Sequence, residues 1–459
     1  MSIMDHRVAA LATLLACASI AGAAEPAPAD AAPPAPGAPA AAAQPQDAAS
    51  PPAPDRASLP PARAYGDLSQ ERIEYGRYLT LAGDCGACHT REGGRPFEGG
   101  VGIDTPFGTL YTPNITPAKG YGIGDFTDED FLRALRHGIR PDGKPYYPAL
   151  PYAWYTKVKD DDLLAIKDYL FSLEPSRYQP PENALRWPFD SRDLLFGWQD
   201  LYLKADRFEP NPDHSDAWNR GAYLVQGLGH CRACHLSRNL AGATTSKDAL
   251  SGAYIDGWYA PGLASDLAEG LANWSEAEII SYLRGGEAPS AAAGDAPDAP
   301  ALGPVAEVVH AGVSGLAESD LAAMAAYLKD QPPQAPPSFT PTVPEQLTEQ
   351  TYSKGRELYA AYCAACHQSY GQGIAPYFPA LAGNETVTLA APNDLIKTLL
   401  LGAPATPAEA YSPHVVMPSF GTIFTDQQIA TIANYIRASW GNAAAPVTAE
   451  QVARLRGQR

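Results

Sequence analysis

The sequence contains three copies of a short pattern in which two cysteines, three residues apart, are followed directly by a histidine. This Cys-x-x-Cys-His pattern is the attachment signal for c-type haem. Two such thiols can bond to the two vinyl groups of one porphyrin, and the adjacent histidine can then bind the iron from the proximal side. The residues concerned are Cys85, Cys88 and His89, then Cys231, Cys234 and His235, and finally Cys363, Cys366 and His367.

Three other chemistries use paired cysteines, namely a redox-active dithiol, a zinc site and disulfide bonds. A zinc site requires cysteine pairs to converge on one ion, and a thioredoxin-like dithiol needs no following histidine. Six of the seven cysteines belong to the three motifs, and only Cys17 lies outside them. We therefore predict three covalently bound haem c groups, with no thiol left for a disulfide.

The sequence around the motifs also repeats, in the order helix, motif, loop, helix, ligand loop and helix. Each motif follows a helix with a glycine near its start, and each repeat closes with an amphipathic helix. The glycines are Gly76, Gly221 and Gly355, and the closing helices are expected over 161–173, 318–329 and 425–439. No stretch of strand-like alternation competes with this pattern. It predicts an all-α protein built from three tandem class I cytochrome c domains.

Between the motif and the closing helix, each repeat has a proline-bearing loop and a capped helix. Thr127 and Ser275 are typical N-caps for two of these helices, and glycines are expected to end all three. The domains are predicted at 64–176, 208–332 and 347–441, with an aromatic-rich connector at 177–207, a Pro-rich linker at 333–346 and a C-terminal tail at 442–459.

The sixth iron ligand of a class I cytochrome c is usually a methionine from the loop before the last helix, and its soft sulfur raises the potential. Met417 lies in that loop of the third repeat and is the predicted distal ligand, with His414 as its competitor. Met324 lies on the apolar face of a helix, where core packing is the commoner role.

Leu150 and Val305 occupy the matching positions of the first and second repeats, and neither side chain can ligate iron. A histidine could substitute, a lysine or other side chain could do so, or the iron could be five-coordinate. His137 and His310 are the best-placed histidines, although a histidine at a helix C-terminus is commonly just a favourable dipole partner. His230, directly before the second motif, is badly placed to reach the distal side.

The N-terminal residues 1–24 contain an apolar run that ends in small residues, which is typical of a secretory signal peptide cleaved after Ala23 or Ala24. Residues 25–63 are rich in Ala and Pro and predict a disordered linker. The run that ends at Cys17 also resembles a bacterial lipobox, so lipidation of that cysteine is an alternative. We expect a protein on the periplasmic side of the bacterial cytoplasmic membrane, either peripheral or lipid-tethered.

The chain is acidic, with 33 Lys and Arg residues against 51 Asp and Glu residues in 459, a net charge of −18. Contact with phosphates requires basic patches, so nucleic acid is not a predicted partner.

Several further segments look like those of one family over about residues 65–441. The segments include Leu-Tyr-Thr-Pro-Asn-Ile-Thr at 110–116, Tyr-Pro-Ala-Leu-Pro-Tyr at 147–152, Trp-Tyr-Ala-Pro at 258–261 and Met-Pro-Ser-Phe at 417–420. The chain resembles the triheme cytochrome c subunit of membrane-bound bacterial dehydrogenases, such as quinoprotein alcohol dehydrogenase and flavin-dependent gluconate or sorbitol dehydrogenase. Members of that family normally have methionine where this chain has Leu150 and Val305.

The resemblance implies an electron-transfer subunit with no substrate chemistry of its own. Its partners would be a dehydrogenase catalytic subunit and ubiquinone or another electron acceptor. The alternative is a haem enzyme that binds peroxide or another small ligand at an open iron in the first or second domain, an interpretation that Leu150 and Val305 keep open.

Overall fold

The computed structural model describes residues 59–61, 63–244, 250–264, 270–288, 299–331, 347–374, 377–403 and 416–458. These residues belong to one compact unit, Ala53–Arg459. The predicted signal peptide, Cys17, most of the Ala/Pro-rich linker, the Pro-rich linker and His414 lie outside the described residues.

The described part of the chain is mostly helical. The helices up to the second motif are α1 (Gln70–Ala82), α2 (Cys85–His89), α3 (Asp128–His137), α4 (Tyr152–Tyr155), α5 (Asp160–Phe171), α6 (Leu194–Tyr202), α7 (Asp216–Gln226) and α8 (Arg232–His235). The later helices are α9 (Glu276–Gly285), α10 (Gly303–Ala311), α11 (Glu318–Lys329), α12 (Glu349–Tyr362), α13 (Ala364–His367), α14 (Glu385–Thr388), α15 (Asn393–Leu401), α16 (Asp426–Arg437) and α17 (Ala449–Arg456), and a 3-10 turn lies at Val313–Gly315.

The described residues contain three small antiparallel sheets, which depart from the all-α prediction. The strands are β1 (Gly102–Thr105), β2 (Gly108–Tyr111), β3 (Ala184–Leu185), β4 (Ala253–Ile255), β5 (Trp258–Ala260), β6 (Glu287–Ala288) and β7 (Ala299–Pro300). They pair as β1-β2-β3, β4-β5 and β6-β7. Strands of two to four residues are too short for a two-residue alternation to register in the sequence, which is why the pattern missed them.

The predicted helix ends agree closely with the structure. Thr127 and Ser275 each cap their helix in a reciprocal capping box, with Asp130 and Glu278 as the returning carboxylates. The closing helix expected over 318–329 is observed with those bounds as α11, and the other two differ by one or two residues at each end.

The same crossing of two helices occurs three times. In each case the helix that precedes a motif packs against a closing helix: α1 on α5, α7 on α11 and α12 on α16. A Cβ added at Gly76 would lie 1.8 Å from the carbonyl oxygen of Ala165, and one added at Gly221 would lie 1.9 Å from that of Ala323. The glycines of the first two pairs are therefore explained by close approach of two backbones, which only a residue without a side chain permits.

The first two helix pairs are joined by a reciprocal exchange of hydrogen bonds. The Tyr78 hydroxyl of α1 donates to the Asp320 carboxylate of α11 at 2.6 Å. The Tyr223 hydroxyl of α7 donates to the Asp162 carboxylate of α5 at 2.5 Å. The two tyrosines each lie two residues after the crossing glycine, and the two aspartates each lie in the first turn of a closing helix. The first two pairs thus form one body with one continuous apolar core.

The third helix pair has its own apolar core, which extends into the segment predicted as a C-terminal tail. Val452 and Leu455 of α17 are buried in the same cluster as Ile429 and Ile432 of α16. The segment 442–459 therefore packs as part of this third body. Helix α17 has only eight residues, too few for its apolar spacing to be recognised, so the sequence predicted only a polar tail.

We expect Gly221→Ala to destabilise the protein by about 1–3 kcal/mol, because the new methyl group would have to push two helix backbones apart. Urea denaturation followed by circular dichroism measures the change. Gly285→Ala is the matched control, since a Cβ there meets no atom within 4 Å. Equal stability of the two variants would contradict the close-approach explanation.

Candidate functional site

Each Cys-x-x-Cys-His motif lies on a short helical turn just after the first helix of a crossing pair. Directly before the first two motifs, Asp84 and His230 adopt positive backbone angles with φ of 48° and 36°. None of the six motif cysteines forms a disulfide bond. The structure thus places two unpaired thiols and one imidazole within five residues at three separate places.

A backbone carbonyl orients the imidazole of each motif. The Nδ1 atoms of His89, His235 and His367 lie 2.8, 2.7 and 2.9 Å from the carbonyl oxygens of Pro113, Pro261 and Pro379, respectively. A carbonyl can only accept, so Nδ1 carries the proton in each ring, and Nε2 keeps its lone pair. The other ring nitrogen of a metal-bound histidine is typically held in this way.

Burial also favours the neutral form of these rings. It lowers the pKa of His89, His235 and His367, and the proline carbonyl offsets only part of that effect. A neutral imidazole with a free Nε2 is the form that ligates metal. The donor set of two free thiols and one such imidazole fits a covalently attached haem c at each motif.

The proline carbonyls are functional groups that sequence reasoning missed. A proline-bearing loop is recognisable after each motif, but its carbonyl has no evident role there. The usable signal is that each of these prolines comes two residues after a tyrosine, as in Tyr111-Thr112-Pro113. No spacing rule relates the loops to the motifs, because 24, 26 and 12 residues separate histidine from proline in the three copies.

Met417 lies at the rim of the third core. Its backbone pairs with Ala403 through two hydrogen bonds of 3.1 Å, and its half-buried side chain packs against the apolar cluster of α12, α15 and α16. Residues 404–415, with His414, lie outside the described part of the chain. Met324 is buried within α11 at the shared core of the first two pairs, as expected for a packing residue.

The sequence predicts a loop at Val305 in the second repeat, but the structure has a helix there. Val305 lies in the first turn of helix α10, and its partly buried side chain packs on the shared core. Leu150 lies just before α4 and packs on the same core. His137 ends α3 with an exposed ring, while His310 in α10 is half-buried beside Gly286.

The first two motifs are close neighbours. The His230 ring stacks on Tyr155 of α4 with centroids 5.8 Å apart, and the Tyr155 hydroxyl donates to the Gly83 carbonyl at 3.3 Å. Gly83 precedes the first motif by two residues, and His230 directly precedes the second. Tyr155 therefore joins the turns that lead into both motifs. Long-range contacts of this kind leave no periodic signal in a sequence.

The hairpin β4–β5 connects the second motif region to the third core. The Tyr259 backbone N–H donates to the Asp394 carboxylate at 2.7 Å, and the Asn393 side-chain amide donates to the Gly257 carbonyl at 2.8 Å. Pro261, which orients His235, follows β5 directly. Burial raises the pKa of Asp394 to about 6.

Residues 352–440 match the family model described as Cytochrome c. The chain is 37% identical to the fructose dehydrogenase cytochrome subunit of Gluconobacter japonicus, an alignment that covers 84% of this chain and 82% of that one. It is 36% identical to the alcohol dehydrogenase (quinone) cytochrome c subunit of Gluconacetobacter polyoxogenes, over 85% of each chain. The chain belongs to the family of cytochrome c subunits of bacterial dehydrogenases.

This membership confirms the resemblance inferred from the sequence. The cytochrome c subunit is also 38% identical to one of the nicotinate dehydrogenase chains of Pseudomonas putida, of which it spans about a third of the length (32%). The matched cytochrome c domain contains the third motif and Met417, and such a domain implies covalently bound haem c. Among the described residues of this cytochrome c subunit, no helix is long and apolar enough to cross a membrane.

The stability of the protein should depend on pH through Asp394. Its pKa of about 6 in the folded protein exceeds the ordinary value of 3.8, so the folded state binds more protons than the unfolded chain between these values. Stability should therefore fall as pH rises from about 4 to about 6. The midpoint temperature of thermal unfolding of Asp394→Asn should lack this pH dependence, and above pH 6 it should be higher than that of the parent protein.

The exposed Asp161 provides the matched control, because Asp161→Asn removes the same charge from a surface position. If Asp394→Asn kept the pH dependence of the parent protein, the buried carboxylate would not be its origin.

Proposed function

We propose that this protein carries electrons from a dehydrogenase catalytic subunit, through three covalently bound haem c groups, to ubiquinone or another acceptor. The observation that carries the proposal is the threefold recurrence of one arrangement. Each copy has two cysteines without a disulfide beside a neutral histidine whose Nδ1 is held by a proline carbonyl. Each copy also follows the first helix of a crossing pair. Three tandem cytochrome c domains account for this recurrence.

The residues have distinct roles in this proposal. The six thiols hold the porphyrins as thioethers: Cys85, Cys88, Cys231, Cys234, Cys363 and Cys366. The Nε2 atoms of His89, His235 and His367 bind the three irons. Each haem, when bound, supplies a one-electron Fe(III)/Fe(II) couple whose potential the protein sets through ligand, burial and hydrogen bonds. Met417 is the distal ligand of the third iron.

The sixth ligands of the first two irons are assigned to no residue. Leu150 and Val305 have no atom that can bind iron, so the methionine usual in the family is missing from this chain at both positions. The family relatives are by name cytochrome subunits of dehydrogenases, which favours a relay over a haem enzyme with an open iron.

The connector offers a surface suited to the peripheral membrane or partner contact that the proposal requires. Trp187 is 82% exposed, and helix α6 buries none of its residues in the described chain. Phe196 and Leu201 of that helix are also exposed. Exposed apolar patches of this kind mark sites of protein or membrane contact. A periplasmic protein attached at the membrane surface agrees with this arrangement.

The stoichiometry of haem attachment tests the proposal. The denatured mature protein should have the mass of the polypeptide plus three haem groups. The double variant Cys363→Ser/Cys366→Ser should lose one of them and keep the other two, since the first two motifs belong to a separate core. A parent protein with the mass of the bare polypeptide would refute the relay.

Replacing Met417 tests its role as the distal ligand. Met417→His should lower the midpoint potential of one haem by on the order of 0.1–0.3 V, because nitrogen ligation favours Fe(III) and axial ligation sets potentials over about 0.8 V. A spectroelectrochemical titration separates the three components. Met324→Leu is the control and should leave all three midpoints in place. Unchanged potentials in Met417→His would exclude thioether ligation by this residue.

A further inference from the structure

A buried carboxyl group lies directly before the first motif. The Asp84 side chain is 8% exposed, and its Oδ1 atom has no hydrogen-bond partner among the described residues. Asp84 holds the position before helix α2 where a side chain could cap the helix, yet it makes no capping hydrogen bond. A buried carboxylate oxygen without a donor is costly, because nothing replaces the water that it has lost.

Among the described residues, the groups that act on Asp84 add no positive charge. Helix α10 of the second repeat packs against α2, and a Cβ added at Gly312 would lie 3.2 Å from Asp84 Oδ1. Burial raises the pKa of Asp84 well above its ordinary value, and the negative charge of Glu307 on α10 raises it further. Cys85 and Cys88 face it from its own turn and Tyr155 faces it from α4, all three uncharged once the thiols are thioethers.

The charge that would stabilise the Asp84 carboxylate is therefore that of the iron centre attached at Cys85 and Cys88. An oxidised iron carries one more positive charge than a reduced one, so it favours the ionised carboxyl more strongly. Burial and the charge of Glu307 raise the pKa of Asp84, whereas an oxidised iron would lower it. The two oxidation states then differ in the protonation of this group.

We propose that Asp84 takes up one proton when the first motif accepts an electron and releases it when the electron leaves. The step balances: the electron comes from the dehydrogenase, the proton comes from solvent, and the carboxylate becomes a carboxylic acid as Fe(III) becomes Fe(II). This inference rests on the proposed function, which supplies the electron donor. Asp84 itself binds the proton, and its coupling to the iron is electrostatic.

Redox titrations of the full mature protein from pH 5 to pH 9 test the inference. One of the three haem potentials should fall as pH rises, by up to about 59 mV per pH unit, which is the one-electron equivalent of a tenfold change in proton concentration. Asp84→Asn should abolish this slope and leave the other two components unchanged. Glu92→Gln is the matched control, because it removes an exposed carboxylate close to the same motif and should keep the slope.

A second variant tests the inference without altering the buried position. The Glu307 residue is exposed, and Glu307→Gln should move the sloping region to lower pH, because a negative neighbour of Asp84 is removed. If Asp84→Asn lost its first haem, this variant would decide the question.

Three pH-independent potentials in the parent protein would overturn the inference, as would a slope that survived in a haem-replete Asp84→Asn or did not move in Glu307→Gln. Failure of the proposed function is distinguishable from these results, because it would appear as missing haem mass in the same samples.

Discussion

The hydrogen bond from each motif histidine to a proline carbonyl is the interaction on which the rest of the structure depends. It fixes the proton on Nδ1, leaves Nε2 free, and points the ring while two thiols lie on the same short turn. A loop carbonyl can fix the orientation of a ring only if the loop itself has a fixed position. The hairpins and crossing helices provide that position. The β4–β5 hairpin shows this directly, since Pro261 follows β5 and β5 is fixed by Asp394.

The interfaces give the three motif regions different degrees of independence. The first two share one apolar core and a reciprocal pair of tyrosine–aspartate hydrogen bonds. The third has its own core, and the β4–β5 hairpin connects it to the second motif region. A relay built in this way keeps its first two sites at a fixed separation, because Tyr155 and His230 are packed between them.

The local features of the site were predictable, while the features that depend on distant residues were not. The three motifs, the crossing glycines and the capping residue Thr127 are recognised within a few residues of chain. The stack of Tyr155 on His230 joins residues 75 positions apart, and the burial of Asp84 under α10 joins residues more than 200 positions apart. The packing of α17 was missed for another reason, since that helix is short and has few apolar residues. Val305 illustrates the limit, since its sequence position suggested a loop and the structure has a helix.

Identification of the haem-bearing peptides tests the central claim most directly. Proteolysis of the mature protein followed by mass spectrometry should yield three different peptides, each containing one Cys-x-x-Cys-His motif and each heavier by one haem. Recovery of any of the three motif peptides without that added mass, with its two thiols free to react with an alkylating agent, would contradict the account.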